Sequence, residues 1–233
     1  MTVSSERITS NTSYYIIALT TQKIIAFVYF ILIARFLGAE DIGRYALAVS
    51  FIQILAIFID IGLSPSITRE SSRDLKVIEK YFSNILGFKI LMSILATVLL
   101  VVLANLFGYS EIVRQLLYLA TAVMILDSFT LTFYSMLRGM HVLKNESIGT
   151  VWYQVMVITI SLIGLYNGAD VRILIVALIA GSIFNFAWSF FSLRKYSKVS
   201  ITLRFQWEKF KPLLRIALPF GVTAIFIKLY QMG

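Results

Sequence analysis

Four ionisable residues lie inside long apolar stretches of this sequence: Lys23, Lys89, Asp127 and Lys228. An ionisable group near the centre of a bilayer costs at least ~2.5–3.5 kcal/mol, so it usually faces a protein interior or a water-filled cavity. A buried cation can replace the hydration that an anion loses in the membrane, and a buried carboxylate can bind a proton or a cation. These four residues are therefore candidates for substrate binding and ion coupling.

Lys23 is the deepest of the lysines, about nine residues or roughly 13 Å into its apolar stretch at helical rise. At helical spacing it shares a face with Thr12, Thr20, Ala26 and Ala34, a small and polar stripe on a helix otherwise rich in Ile and Phe. This pattern predicts that Lys23, Thr12 and Thr20 line a substrate-binding cavity. The alternatives for Lys23 are a side chain extended to the membrane surface and a plain contact between helices.

The other three residues have two interpretations each. Lys89 and Lys228 lie closer to helix ends, so they either line the same cavity or extend their charge to the surface. Asp127 either couples transport to an ion or neutralises one of the lysines, and we favour the counter-ion. Asp60 stands beside Gly62 where its apolar stretch ends, and there we expect a structural role.

These residues are carried by about seven apolar stretches of roughly twenty residues, each long enough to cross a ~30 Å hydrocarbon core as a helix. The sequence thus predicts an all-α membrane protein, a polytopic bundle of transmembrane helices. The expected spans are Tyr14–Phe36, Ile42–Leu63, Phe82–Phe107, Ile112–Leu137, Ile148–Tyr166, Ile173–Leu193 and Leu213–Met232.

Composition agrees with this class. Hydrophobic residues make up 59% of the chain and charged residues 14%, whereas about a quarter of an ordinary soluble domain is charged. The longest polar interval, Arg194–Pro212, is far shorter than the ~50 residues that a domain needs. Cysteine is absent and the lone His141 has no partners at ligand spacing, so we expect no metal site and no cofactor.

Positive charge alternates between the loops. Fourteen lysines and arginines fall in the amino terminus and the second, fourth and sixth loops, against four in the other loops. By the positive-inside rule the amino terminus is cytoplasmic and the protein spans the cell membrane several times. The net charge of +9 then indicates contact with anionic membrane lipids, and we expect no nucleic-acid partner.

Several segments together resemble a known family. The stretch Ala34–Ser50, ARFLGAEDIGRYALAVS, resembles the turn between the first two helices of polysaccharide-transport flippases, in the multidrug/oligosaccharidyl-lipid/polysaccharide exporter superfamily. Asp60–Leu63 with Thr68–Glu70 is similar to the end of that family's second helix. Leu213–Phe220, LLRIALPF, resembles the entry to its seventh helix.

The resemblance implies two helical bundles around a cavity that opens to one face at a time, and a lipid-linked oligosaccharide on an isoprenoid diphosphate as substrate. On this basis residues 1–193 are the first six-helix bundle, 194–212 a cytoplasmic linker and 213–233 the start of the second bundle. The rest of the second bundle is absent from this sequence. We therefore expect a carboxy-terminal half, missing or on a separate chain, to be needed for transport.

Three other functions remain open. A drug or cation antiporter of the same superfamily would favour buried acids over buried lysines. A non-transporting membrane assembly subunit would also fit the length. A membrane lipid-sugar transferase is the least favoured, because the acidic loop residues mostly stand beside Lys or Arg and form no paired-Asp motif; we expect no enzymatic activity.

Overall fold

The computed structural model describes residues 5–197 and positions 206, 211, 217, 219, 221 and 223, and within the helices it leaves the side chains of 5–19, 21–23, 76, 77, 79 and 80 undescribed. In this part of the chain all regular structure is helical, as the apolar stretches predict. The helices are α1 (Ser5–Asp60), α2 (Leu63–Arg73), α3 (Leu75–Leu106), α4 (Glu111–Gly139), α5 (Leu143–Tyr166) and α6 (Arg172–Tyr196).

The first two predicted spans lie in α1, on either side of a single non-helical residue. Gly38 has φ 77° and ψ 174° inside an otherwise helical run of 56 residues. A straight helix of that length would measure roughly 84 Å, far beyond a ~30 Å membrane core, so the chain must change direction at Gly38. Gly43 is helical, and Arg44 pairs with Glu40 and Asp41 just after the break.

A second break separates α1 from α2. Ile61 and Gly62 both have positive φ, 40° and 74°, and a β-branched residue in that region is a genuine outlier. The Asp60 carboxylate accepts hydrogen bonds from the Ser64 backbone N–H (3.2 Å) and hydroxyl (2.5 Å). The expected structural role of Asp60 at a helix end is therefore confirmed, although α2 itself was not predicted.

The next four spans agree with the sequence to within a few residues, apart from the start of α3, which begins seven residues before the predicted Phe82. Five helices of the described residues are long and apolar enough to cross a membrane, the first of them covering both halves of α1. The seventh predicted span, Leu213–Met232, and most of the 194–212 linker lie outside the described residues.

Helix α4 lies at the centre of the bundle. It contacts α1, α2, α3, α5 and α6, and it carries buried residues around much of its circumference. The exposed large side chains of α3, such as Leu95 and Val98, lie where lipid would be expected. Because α4 is enclosed, polar residues on its middle turns face other helices rather than lipid.

Candidate functional site

A cavity of about 290 Å³ lies between the second half of α1 and α4. Its wall is mainly apolar, and its charged residues are both carboxylates. The lining residues are Ile52, Gln53, Ala56, Ile57, Asp60, Gly62, Met124, Asp127, Ser128 and Leu131. A mostly apolar cavity with a few polar groups is the common form of a small-ligand site.

Lys89 lies behind this cavity and does not line it. Its side chain is 0% exposed, and Nζ donates to Asp60 Oδ1 (2.7 Å), to the Ser128 carbonyl oxygen (2.9 Å) and to Ser128 Oγ (3.2 Å). An ammonium has three donors, so all of them are used here. The alternative in which Lys89 extends its charge to the membrane surface is wrong.

Asp60 is the counter-ion of Lys89 and also reaches the cavity. Its side chain is 17% exposed, and its two oxygens together accept from Lys89 and from Ser64. These bonds connect the end of α1 to α2 and α3. The carboxylate thus stabilises the break at Ile61 and Gly62 while it neutralises a buried cation.

Asp127 is held differently. Its Oδ1 accepts a hydrogen bond of 2.7 Å from Ser182 on α6. Among the described side chains no lysine or arginine pairs with it. Asp127 does not neutralise Lys89, because Asp60 occupies that position. Its pairing with one of the other two lysines stays a prediction, since those side chains lie outside the described residues.

The structure brings together only part of the predicted site. Lys89 and Asp127 lie at the same α1–α4 cavity region, the second lining it directly. Thr20 is exposed and lies outside this cavity. The side chains of Lys23, Thr12 and Lys228 lie outside the described residues, so their expected role in binding stays a prediction.

Two contributors to the site, Ser128 and Gln53, were not foreseen. Ser128 holds Lys89 through its backbone carbonyl oxygen, a group that every residue has, and also through Oγ, so its place next to Asp127 in an apolar stretch was a usable signal. Gln53 lines the cavity on the same face of α1 as the apolar Ala56, and a polar residue in an apolar stretch was a usable signal. Among the described residues no group of three potential metal ligands lies together.

The arrangement of helices is that of a transporter superfamily. A MOP superfamily transporter from Pyrococcus furiosus, described as having a binding pocket of reverse polarity, matches with a TM-score of 0.72 at 18% identity, over 97% of this chain and 54% of that chain. A MATE structure in complex with MaD5 matches with 0.72 at 17% identity, over 97% and 55%. An outward-facing multidrug resistance MATE transporter matches with 0.70 at 16% identity, over 97% and 54%.

The fold is therefore that of the MOP superfamily transporters, and the chain spans about half the length of these solved structures, corresponding to their amino-terminal half. The family pattern described as polysaccharide biosynthesis protein matches residues 8–233, so the chain belongs to that family. No curated protein sequence matches it.

Proposed function

We propose that this chain forms the first bundle of a flippase that moves an isoprenoid-diphosphate-linked oligosaccharide across the cell membrane by alternating access. The observation that carries the proposal is the match of a polysaccharide biosynthesis family over residues 8–233 on a transporter fold. A transporter that serves polysaccharide synthesis needs a membrane-crossing precursor as its cargo. Rocking of two bundles around a shared cavity would carry the head group while the lipid tail stays in the bilayer.

In this proposal the diphosphate is met by buried lysines. Lys23 is the main candidate, with Thr12, Thr20 and Lys228 as further polar groups of the path. Lys89 takes part only in a state where its ion pair with Asp60 opens, because all three Nζ hydrogens are engaged in the state described. Its role would then alternate between structure and binding.

Asp127 is the proposed coupling residue. It lines the cavity, lies in a transmembrane helix and is held by a hydroxyl rather than by a cation among the described residues. A carboxylate in such a place can take up a proton or a monovalent cation at low structural cost.

We also propose that the amino terminus is cytoplasmic. Labelling of the variant Leu75→Cys by a membrane-impermeant reagent in intact cells would contradict this orientation.

A second function has one observation in its favour. Both charged residues that line the α1–α4 cavity are carboxylates, which suits a cationic drug better than a diphosphate. A drug or cation antiporter is therefore the competing proposal. No described residue favours an assembly subunit or a lipid-sugar transferase.

The deciding experiment uses the complete protein that contains this chain, expressed in a host that lacks its flippase. Lys23→Met should abolish delivery of the glycan and cause lipid-linked glycan to accumulate on the cytoplasmic face, whereas Lys23→Arg should keep part of the activity because the charge remains. Protein level in the membrane is the control.

Ethidium efflux from the same cells tests the competing function. Normal glycan delivery by Lys23→Met would remove Lys23 from the path. The antiporter would replace the flippase proposal if two results were found together. The protein would have no effect on glycan delivery, and its ethidium efflux would be lost in Asp127→Asn.

A further inference from the structure

A second cavity, of about 470 Å³, lies at the end of the bundle where α2 ends, α4 turns into α5 and α6 ends. Its polar lining residues are Ser71, Ser72 and Arg73 of α2, His141 of the turn and Tyr196 of α6. It is separate in its lining from the α1–α4 cavity, with no residue in common.

The ionisable groups around this cavity favour an anion. Arg73 is 67% exposed, and the carboxylate closest to its guanidinium, that of Glu70, lies 3.9 Å away, beyond hydrogen-bond distance. The planar fork of Arg73 is thus still able to bind two oxygens of one ligand. On the α6 side, Lys195 places Nζ 5.8 Å above the ring of Tyr196, which adds a second positive charge at the rim.

The carbonyl ends of α2, α4 and α6 meet here, and their dipoles alone attract basic residues. Two further observations indicate that the cavity is a ligand site, and that its basic residues do more than compensate the helix dipoles. Ser71 is buried, and its Oγ has no hydrogen-bond partner among the described residues, a state that costs about 1–3 kcal/mol. His141 has φ 59° without being glycine, and such strain is retained most often where a turn serves a ligand.

Close packing fixes this geometry. A Cβ atom on Gly139 would lie 2.8 Å from the Thr68 carbonyl oxygen and would overlap the Ser71 side chain. Glycine therefore lets α2 approach the end of α4, and this approach brings Ser71 and Arg73 to the strained turn. Hydrogen-bond donors from α2, from the turn between α4 and α5 and from α6 therefore line the same cavity.

We propose that this cavity binds a phosphate group. The oxygens of an ionised phosphate accept hydrogen bonds, and the cavity offers the Arg73 guanidinium, the Ser71 hydroxyl and flanking positive charge. The phosphate comes either from the head group of a lipid at the membrane surface or from a soluble diphosphate. This inference does not depend on what the protein transports.

Binding is tested on the purified chain in maltoside detergent, by following the midpoint of thermal unfolding with inorganic pyrophosphate, farnesyl diphosphate or farnesol. A ligand that binds the folded state raises this midpoint with concentration and so yields an apparent Kd. We expect a rise with at least one of the diphosphates and none with farnesol. Equal Kd values for the two diphosphates indicate a soluble source, and binding of farnesyl diphosphate alone indicates a lipid source.

Substitutions test whether the diphosphate binds at this cavity. Arg73→Gln should raise Kd about tenfold or more, the loss expected for a charge-assisted contact. Arg172→Gln is the matched control, because Arg172 is also partly exposed, at 44%, and pairs with Asp170 beyond the opposite end of α6.

Ser71→Ala gives an independent readout. Because no described residue hydrogen-bonds this hydroxyl, its removal should leave the ligand-free unfolding midpoint unchanged or higher, yet raise Kd several-fold. The proposal is overturned if neither diphosphate shifts the midpoint, if Arg73→Gln binds as the parent chain does, or if Lys23→Met rather than Arg73→Gln removes binding.

Discussion

Asp60 and Asp127 line one cavity from opposite walls, and their carboxylates have different kinds of hydrogen-bond partner. Asp60 accepts hydrogen bonds from Lys89 and from two donors of Ser64. Asp127 accepts one from the Ser182 hydroxyl. The first carboxylate is fixed by an ion pair and the second is held by a neutral group.

This difference separates a structural charge from an exchangeable one. Protonation of Asp60 would leave Lys89 buried and unpaired, so its negative charge is required for folding. Protonation of Asp127 leaves no described cation without a partner. Of the two, Asp127 is the carboxylate that can change its charge without leaving a described cation unpaired.

The largest expected effect is that of Lys89→Met. It should lower the free energy of unfolding by about 3–5 kcal/mol, because Asp60 would keep a partly buried charge with no counter-ion. The measurement is an SDS titration in mixed micelles followed by helix content, with the exposed Lys144→Met as control. A loss below about 1 kcal/mol would mean that the pair contributes no more than a surface ion pair.

The double variant Asp60→Asn, Lys89→Met should recover most of that loss. Replacing a buried pair by neutral residues is often close to neutral, so we expect the free energy of unfolding to return to within about 1–2 kcal/mol of the parent chain. The same titration applies. If the double variant is as unstable as Lys89→Met alone, the defect lies in packing and not in charge.

A matched pair of serine variants sharpens the comparison. Ser182→Ala removes the described hydroxyl partner of Asp127 and should cost about 1–3 kcal/mol, while Ser64→Ala leaves Asp60 with Lys89 and should cost about 0.5–1.5 kcal/mol. Unfolding titrations of the two variants side by side give the difference. A larger loss for Ser64→Ala would reverse the assignment of which carboxylate depends on its hydroxyl.

The smallest change in stability is expected for Asp127→Asn. The asparagine carbonyl oxygen can still accept from Ser182, so the free energy of unfolding should shift by less than about 1 kcal/mol. Transport by the complete protein under an imposed proton or sodium gradient should nevertheless lose its dependence on that gradient. Unchanged gradient dependence would remove Asp127 as the coupling residue.

The sequence predicted the transmembrane helices well because each signal is local. An apolar stretch of about twenty residues with charges beyond it defines α4 and α6 to within three residues, and the break at Gly38 falls between the two predicted spans of α1. Helix α2 was missed because its 11 residues are too polar to resemble a span. Ile61 gave no sign of the break, since isoleucine is among the residues least suited to positive φ.

The site was predicted only in part because its pairings are not local. Lys89 and Asp127 stood out as charges in apolar stretches, but which carboxylate meets the lysine depends on how α1, α3 and α4 pack. Asp60 is 29 residues from Lys89 in sequence, and its position beside a helix end suggested only a cap. The structure shows that it serves both purposes.

The glycine at the second break has a consequence for the order of events during synthesis. A Cβ atom on Gly62 would overlap backbone atoms of Ala217 and Gly221, so two distant parts of the chain meet there with no side chain between them. The ribosome completes residues 217 and 221 after all of α1–α6. The backbone at Gly62 therefore stays uncovered by this segment until the chain has been synthesised to residue 221.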